Sequence, residues 1–351
     1  MNAKTAPATQ PQEQKTLETD RQICHARFSP CGKVLAGGCY DAAVRRWDFS
    51  GEEPVEMAPL LGHHGWTTSV GFVPSGGLLI TADSWGQLTA WPYADKEAKP
   101  VWSHEQAHDG WIRNMAISQD GRFVATVGAD HGVRLWSTTD GKRVREFVGH
   151  EQGVFAVAIS PQVDELVTGD FNGVMKRWDL ATGKLIAEAV FDTLHLTKVD
   201  AAVTGLRILH YHDSDTLLCA GSEPSTTGRM IGVPAVYFID RKTLKLQRKV
   251  LLGETKDGYV FDLAWLADAG KYLIATSGQP GSGKLIVLAA DAEKPEFENT
   301  KVSNLRTIAL HPDQHQLAVI STNKGSQGNG TKLDEDGNYI GNTSPIALFQ
   351  V

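Results

Sequence analysis

Short apolar segments alternate with short polar turns along the chain. In the first half, four of these segments place a Trp near their end: AVRRWD, QLTAWP, GVRLWS and GVMKRWD. Each follows a β-rich run, and each such run follows a segment ending in FSPCG, FVPSG, ISQDG or ISPQ. Short runs of this composition between Gly, Pro, Asp and Ser turns predict β-strands. The repeating unit is therefore predicted to be strand, turn, strand, turn, strand.

The Trp residues give this unit its period. Trp47, Trp91, Trp136 and Trp178 recur at intervals of 44, 45 and 42 residues. A fixed period of this length is typical of repeat architectures in which each unit supplies one sheet.

The dipeptides that flank each unit resemble those of the WD-repeat family. Gly-His pairs stand at 62–63 and 149–150, Ala107 replaces the Gly at 107–108, and Trp-Asp pairs stand at 47–48 and 178–179. The resemblance is strong over residues 23–180 and weaker beyond. It implies an all-β fold, a β-propeller built from four-stranded antiparallel blades.

The second half still shows the first strand of each unit. Across the chain seven apolar positions mark that strand: Phe28, Phe72, Ile117, Ile159, Leu209, Trp265 and Leu310. Seven blades are therefore expected. In the last three, Ile239, Leu288 and Phe349 stand near the Trp position, where any large apolar side chain fills the space between sheets.

The ends of the sequence predict how the ring closes. The last segment, SPIALFQV, leaves no residues for a fourth strand of the seventh blade, whereas KTLETD precedes the first complete unit. Pairing this N-terminal segment with the last blade would hide a sheet edge. We therefore expect a disordered tail over residues 1–13 and a single propeller over 14–351, destabilised by truncation of residues 1–22.

Composition and charge narrow the function. Apolar residues make up 41%, charged residues 21%, and the formal net charge is -7 without a long Lys/Arg cluster. This balance disfavours nucleic-acid binding. With no signal peptide or membrane-length apolar run and four cysteines without metal-ligand spacing, the chain is expected to be cytoplasmic, free of membrane contact and monomeric on its own.

The family resemblance implies a structural hydrogen-bonded chain of His, Ser or Thr, Asp and Trp. The third blade has all four positions: His108, Thr126, Asp130 and Trp136. In the others the matches are partial. They are His63, Thr81 and Trp91 with Trp85 at the Asp position; His150, Thr168 and Trp178 with Asn172 there; and Asp41 and Trp47 with Gly37 and no His.

Three patterns suggest chemistry, and a simpler interpretation is favoured for each. A catalytic relay of His108, Thr126 and Asp130 is less economical than a repeated structural network. GQPGSGK at 278–284 resembles a phosphate-binding loop, but Leu285 replaces Ser or Thr and a strand follows. Asp334, Asp336 and Asn338 are spaced like a calcium loop that lacks its Gly and its final Glu. No catalytic residue, metal or cofactor is therefore assigned.

The resemblance also indicates where a partner binds. Positions three and five residues after the Gly-His histidine, or the equivalent strand positions, border the central channel. They are Trp66, Thr68, Trp111, Arg113, Gly153, Phe155, Tyr259, Phe261, Asn304 and Arg306. Aromatic residues and Arg are enriched in interface hot spots, although some of these aromatics could instead pack between blades. Insertions at 221–234 and 321–344, between second and third strands, are expected on the same face.

The sequence thus predicts a non-catalytic WD-repeat scaffold that binds a protein or peptide on the Gly-His face, within a larger complex. The alternative is a hydrolase or lactonase-like propeller with a metal in the channel, which would need convergent carboxylates or histidines.

Overall fold

Seven four-stranded antiparallel sheets form the fold. A computed structural model describes residues 10–191, 206–224, 232–278, 281–322, 335 and 343–351. In these ranges every sheet but the last uses four consecutive strands. The innermost strands of successive sheets lie side by side, except that the innermost strand of the sixth sheet contacts the second and third strands of the fifth. The predicted seven-bladed propeller is confirmed.

Blades 1 to 4 follow one another along the first half of the chain. Blade 1 comprises β2 (Ile23–Phe28), β3 (Val34–Cys39), β4 (Val44–Asp48) and β5 (Val55–Leu60). Blade 2 comprises β6 (Thr67–Phe72), β7 (Leu78–Asp83), β8 (Leu88–Pro92) and β9 (Trp102–His104). Blade 3 comprises β10 (Ile112–Ile117), β11 (Phe123–Gly128), β12 (Val133–Ser137) and β13 (Arg143–Phe147). Blade 4 comprises β14 (Val154–Ile159), β15 (Glu165–Asp170), β16 (Val174–Asp179) and β17 (Leu185–Val190).

Blades 5 to 7 complete the ring. Blade 5 comprises β18 (Ile208–Tyr211), β19 (Thr216–Pro224), β20 (Gly232–Asp240) and β21 (Leu246–Leu251). Blade 6 comprises β22 (Tyr259–Leu266), β23 (Lys271–Ser277), β24 (Lys284–Ala289) and β25 (Phe297–Asn299), with 3-10 helices at Thr255–Asp257 and Ala267–Ala269. Blade 7 comprises β26 (Leu305–Leu310), β27 (Gln316–Ser321), β28 (Ile346–Gln350) and, from the other end of the chain, β1 (Gln12–Leu17).

The core lies between blades. The four repeat Trp residues are buried in third strands, each opposite an apolar residue of the second strand, as with Leu79 opposite Trp91. Ile239, Leu288 and Phe349 have the same register opposite β19, β23 and β27, and all three are buried. The prediction that other apolar side chains replace Trp in blades 5 to 7 is confirmed.

The ring closes through β1. This strand pairs antiparallel with β28, from Gln12 opposite Gln350 to Leu17 opposite Ile346. Behind it, the Thr19 hydroxyl donates to the Ser344 carbonyl at 2.8 Å, and the Ile23 N–H donates to the Ser344 hydroxyl at 2.9 Å. The predicted closure is confirmed, with the strand starting two residues before the expected boundary at residue 14.

The long connections differ in part from the prediction. The 321–344 segment does join β27 to β28, but the 221–234 insertion is shorter than expected, because Glu223 pairs with Val233 and the hairpin extends to both sides. Residues 225–231 and the calcium-like positions 334, 336 and 338 lie outside the described residues. The phosphate-loop-like segment leads into β24, a strand, as predicted. Among the described residues, no helix has the length and apolar character to cross a membrane.

Candidate functional site

A β-bulge near the start of the innermost strand recurs in six blades. In blade 3, Ile112 pairs with Gly128 and Asn114 with Val127, so Arg113 between them has no partner opposite. A bulge of this kind redirects the side chain of the extra residue. The six bulge residues are Cys24, Thr68, Arg113, Phe155, Phe261 and Arg306.

Blade 5 supplies the seventh member by a different route. Arg207 lies directly before β18, and its backbone N–H donates to the Ala220 carbonyl at 3.1 Å. Arg207 and the six bulge residues all line the central cavity, which has a volume of about 670 Å³. We call these seven residues the bulge ring. The innermost strands thus aim one side chain per blade into a single opening.

Arginine and phenylalanine alternate along the bulge ring from blade 3 to blade 7. The guanidinium carbon of Arg113 lies 3.7 Å from the ring centroid of Trp111 and 4.9 Å from that of Phe155. Arg207 lies 3.9 Å from Tyr259 and 5.8 Å from Phe261. Arg306 approaches Phe261 from the other side, at 5.2 Å. These cation–π contacts hold each guanidinium against an aromatic face.

A band of aromatic side chains adjoins the bulge ring on the Gly-His face. Trp66 is 40% exposed and meets Tyr40 edge-on at 5.2 Å and Trp111 at 5.9 Å between centroids. Trp85, in the turn between β7 and β8, is 68% exposed and stacks on His64. We call Tyr40, Trp66, Trp85 and Trp111 the aromatic band. Large amphipathic rings at the surface are typical of binding sites.

Most residues predicted for the partner face meet at this opening. Thr68, Trp111, Arg113, Phe155, Tyr259, Phe261 and Arg306 line the cavity, and Trp66 lies beside them. Asn304 does not line the cavity. It is buried, and its side-chain oxygen accepts a hydrogen bond from the Gly281 N–H at 2.7 Å.

Sequence reasoning missed Cys24, Arg207, Tyr40 and Trp85. Cys24 lies in an innermost strand, and Arg207 lies just before one, and no Gly-His pair precedes either strand at the usual spacing. The offset counted from the histidine therefore could not be applied to them. Tyr40 and Trp85 lie in turns between second and third strands. An aromatic residue in the turn between the second and third strands was the sequence signal that could have identified Tyr40 and Trp85.

Further along the innermost strands from the bulge ring, an ion pair joins two blades at the channel wall. Arg27 on β2 donates two hydrogen bonds to Asp262 on β22, at 2.7 and 2.9 Å, and the Thr307 hydroxyl of β26 donates to Asp262 at 2.5 Å. Burial raises the pKa of Asp262, but the Arg27 charge and hydrogen bonds outweigh burial and hold this pKa below its ordinary value. Arg27, Asp262 and Thr307 together link blades 1, 6 and 7.

Two histidines of the channel wall are held neutral. Burial and the neighbouring Arg27 charge lower the pKa of His25 to about 3, and its Nδ1 accepts the Val70 N–H at 3.1 Å. Burial lowers the pKa of His210 to about 4. Neither ring therefore adds positive charge to the channel at neutral pH.

Among the residues that the structure describes, the hydrogen-bonded chain is complete in blades 2, 3 and 4. In blade 3, His108 Nδ1 lies 2.8 Å from Asp130, its Nε2 lies 2.8 Å from the Thr126 hydroxyl, and Trp136 Nε1 donates to that hydroxyl at 2.8 Å. Blade 2 has the same chain through His63, Asp83, Thr81 and Trp91, and blade 4 through His150, Asp170, Thr168 and Trp178. The assignment of Trp85 and Asn172 to the Asp position was wrong. In blade 1, Asp41 instead contacts Arg45.

Blade 3 places its Asp two residues later than blades 2 and 4. The position that holds Asp83 or Asp170 in those blades is Gly128 in blade 3. A Cβ atom at Gly128 would lie 2.7 Å from the Asp130 carboxylate and 2.5 Å from His108 Nδ1. Gly128 thus leaves room for Asp130 to reach back from the turn.

Comparison with known proteins agrees with this repeat. A family model described as "WD domain, G-beta repeat" matches residues 11–48, 99–137 and 141–179. The first match includes β1 and thus spans the closure. The resemblance to the WD-repeat family is confirmed in these segments.

The chain is also similar to larger proteins. It is 26% identical over 182 residues to Protein groucho of Drosophila melanogaster, covering 51% of this chain and 24% of groucho. It is 30% identical over 158 residues to the Nuclear distribution protein PAC1 of Arthroderma benhamiae and to that of Trichophyton verrucosum, covering 42% of this chain and 33% of each relative. The similarity spans a quarter to a third of the length of these relatives.

Proposed function

We propose that this WD-repeat propeller is a non-catalytic scaffold that holds a protein or peptide segment of a partner over the mouth of its channel. The bulge ring carries this proposal, because it presents one side chain from every blade at one opening. Interfaces are enriched in aromatic residues and Arg, and the aromatic band adds exposed area beside the ring.

The rigidity of the site supports binding by a preformed surface. The Trp111 indole N–H donates to the Thr68 hydroxyl at 3.3 Å, and that hydroxyl donates to the Ile112 carbonyl at 3.1 Å. Tyr259 and Phe261 stack with centroids 4.5 Å apart. Side chains held in this way lose little conformational entropy on binding, which favours affinity.

The channel residues do not support the metallohydrolase alternative. A catalytic metal site needs several convergent carboxylates or histidines. Among the described residues that line the cavity, the carboxylate is Asp262, which is bound by Arg27. The histidines are His210 and His25, and His25 Nδ1 accepts the Val70 N–H. The described part of the chain also contains no cluster of three or more His, Cys, Asp and Glu suited to a metal.

A partner-capture experiment with two matched double variants tests the proposal. Trp111→Ala with Arg113→Ala removes two side chains of the site. Arg122→Ala with Lys142→Ala removes two exposed side chains from the opposite end of the same blade. Wild type, the site variant and the control variant are each used as bait in cell extract. The captured proteins are quantified by mass spectrometry.

We expect the proteins captured by wild type to be retained by the control pair and to fall at least about tenfold with the site variant, as for the loss of a hot spot. Equal recovery by all three baits, from proteins with equal melting temperatures, would place the partner elsewhere and reject this face.

A further inference from the structure

The bulge ring has a charge opposite to that of the whole chain. The formal net charge of the protein is -7. The charged residues that line the cavity are instead Arg27, Arg113, Arg207, Arg306 and Asp262. Arg27 and Asp262 form an ion pair, and Arg113, Arg207 and Arg306 are the positively charged members of the bulge ring.

The geometry leaves Arg113 and Arg306 ready to bind an anion. Among the described residues, neither Arg113 nor Arg306 forms a salt bridge, and Arg113 Nε is buried without a hydrogen-bond partner. Burial, together with the Arg207 charge, lowers the pKa of Arg113 to about 10. Holding these positive charges close together in a partly buried opening costs free energy. A bound anion would reduce that cost.

The alternation of residue types points to a peptide rather than to a bare ion. A small anion needs only the guanidinium groups. Here Phe155 and Phe261 alternate with the three arginines and offer apolar faces between them. A segment in which acidic and apolar side chains are interspersed would complement both parts of the ring.

We propose that the bulge ring binds an acidic peptide segment of the partner, with Asp or Glu carboxylates held by Arg113 and Arg306 and apolar neighbours packed on Phe155 and Phe261. This inference rests on the proposed scaffold function and specifies its ligand. Arginine binds carboxylates through paired N–H donors, and stacking on the aromatic rings fixes the guanidinium planes.

Fluorescence anisotropy with defined peptides tests the charge preference. The probe is a fluorescein-labelled peptide of alternating Glu and Leu, and the comparison peptides replace every Glu by Gln, Lys or phosphoserine. We expect the Glu peptide to bind, the Gln and Lys peptides to bind at least about tenfold more weakly, and the affinity to fall with added salt.

Variants of the ring locate the binding. Arg113→Gln and Arg306→Gln should each weaken the Glu peptide by about tenfold, the usual effect of losing one charge-assisted hydrogen bond. Arg122→Gln, on the opposite end of the propeller, should leave it unchanged. Arg306→Lys keeps the charge and should recover part of the loss, which a purely structural role of Arg306 would not explain.

Each other outcome overturns the inference in a recognisable way. Equal binding of the Glu and Gln peptides rejects recognition of charge. Binding of the phosphoserine peptide alone identifies a phosphate site, and tighter binding of an oligouridylate identifies a nucleic-acid site. If the captured partner is lost with Trp111→Ala but not with Arg113→Gln or Arg306→Gln, the scaffold function stands and the acidic ligand is rejected.

Discussion

At the scale of single residues, the Thr hydroxyl is the centre of the three hydrogen-bonded chains. In blade 4, Thr168 receives the Trp178 indole N–H at 2.9 Å and lies 2.7 Å from His150 Nε2. Its oxygen accepts from the indole, and His150 Nδ1 lies 2.8 Å from Asp170, so the hydroxyl connects the indole to the imidazole and its carboxylate. The imidazole is thus held between the hydroxyl and the carboxylate, in a structural role.

Replacing this hydroxyl should therefore be costly. In Thr168→Val the Trp178 N–H and His150 Nε2 both lose their buried partner, and we expect a loss of about 2–4 kcal/mol in the free energy of unfolding. Thr243→Val is the matched control, because the Thr243 hydroxyl is exposed and bonds only the nearby Asp240. Urea denaturation checks both. A Thr168→Val protein as stable as the control would show that the chain contributes little.

The partly buried His25 should make stability depend on pH. Its pKa is about 3 when folded, against an ordinary value of 6.5. Between these values the unfolded chain binds a proton at His25 and the folded chain does not. The stability that His25 contributes is complete above pH 6.5 and falls as the pH drops toward 3, by about 1.4 kcal/mol per pH unit.

The variant His25→Asn keeps an acceptor for the Val70 N–H but removes the titrating ring. Compared with wild type, it should lose roughly 2 kcal/mol less stability between pH 6.5 and pH 5. Urea denaturation at several pH values measures this difference. The exposed His131→Asn serves as the control and should follow wild type; parallel curves for His25→Asn and wild type would contradict the argument.

At the scale of elements, strand β1 stabilises the fold although most of its side chains are exposed. Its contribution is the ladder of five residue pairs with β28, which would otherwise present an open edge. At about 0.5–1.5 kcal/mol for each backbone hydrogen bond, deletion of residues 1–17 should cost roughly 3 kcal/mol and promote aggregation.

Thermal denaturation with light scattering checks this effect. Deletion of residues 1–9 is the control, because it leaves Gln12–Leu17 in place. If both deletions melt at the same temperature as the full chain, closure by β1 is energetically unimportant.

The elements also show where sequence reasoning succeeded. Periodicity predicted seven innermost strands, and each of the seven marker residues from Phe28 to Leu310 lies in one. Hydrophobic repetition works because every blade must bury both faces of its sheet. The same reasoning misplaced the Asp of blades 2 and 4, because it copied the spacing of blade 3, where Gly128 shifts the carboxylate into the turn.

At the scale of the whole molecule, the sequence foretold five of the seven bulge-ring residues but not their arrangement. The histidine and strand offsets found Arg113, Phe155 and Arg306, whereas Arg207 precedes a strand without a bulge. The alternation of charge and aromatic surface becomes visible only when residues from five blades are brought around one opening. The formal net charge of -7, which is counted along the chain, does not reveal that arginines gather at this opening.

The closure of the ring also bears on how the protein is made. Residues 12–17 have their strand partners at 346–350, so this pairing waits until residues 346–350 have been synthesised. Until then an unfinished arc of blades has open β-edges at both ends, the kind of intermediate that associates with other chains. We expect the late synthesis of residues 346–350 to set the pace of native assembly, since contacts so distant in sequence form slowly.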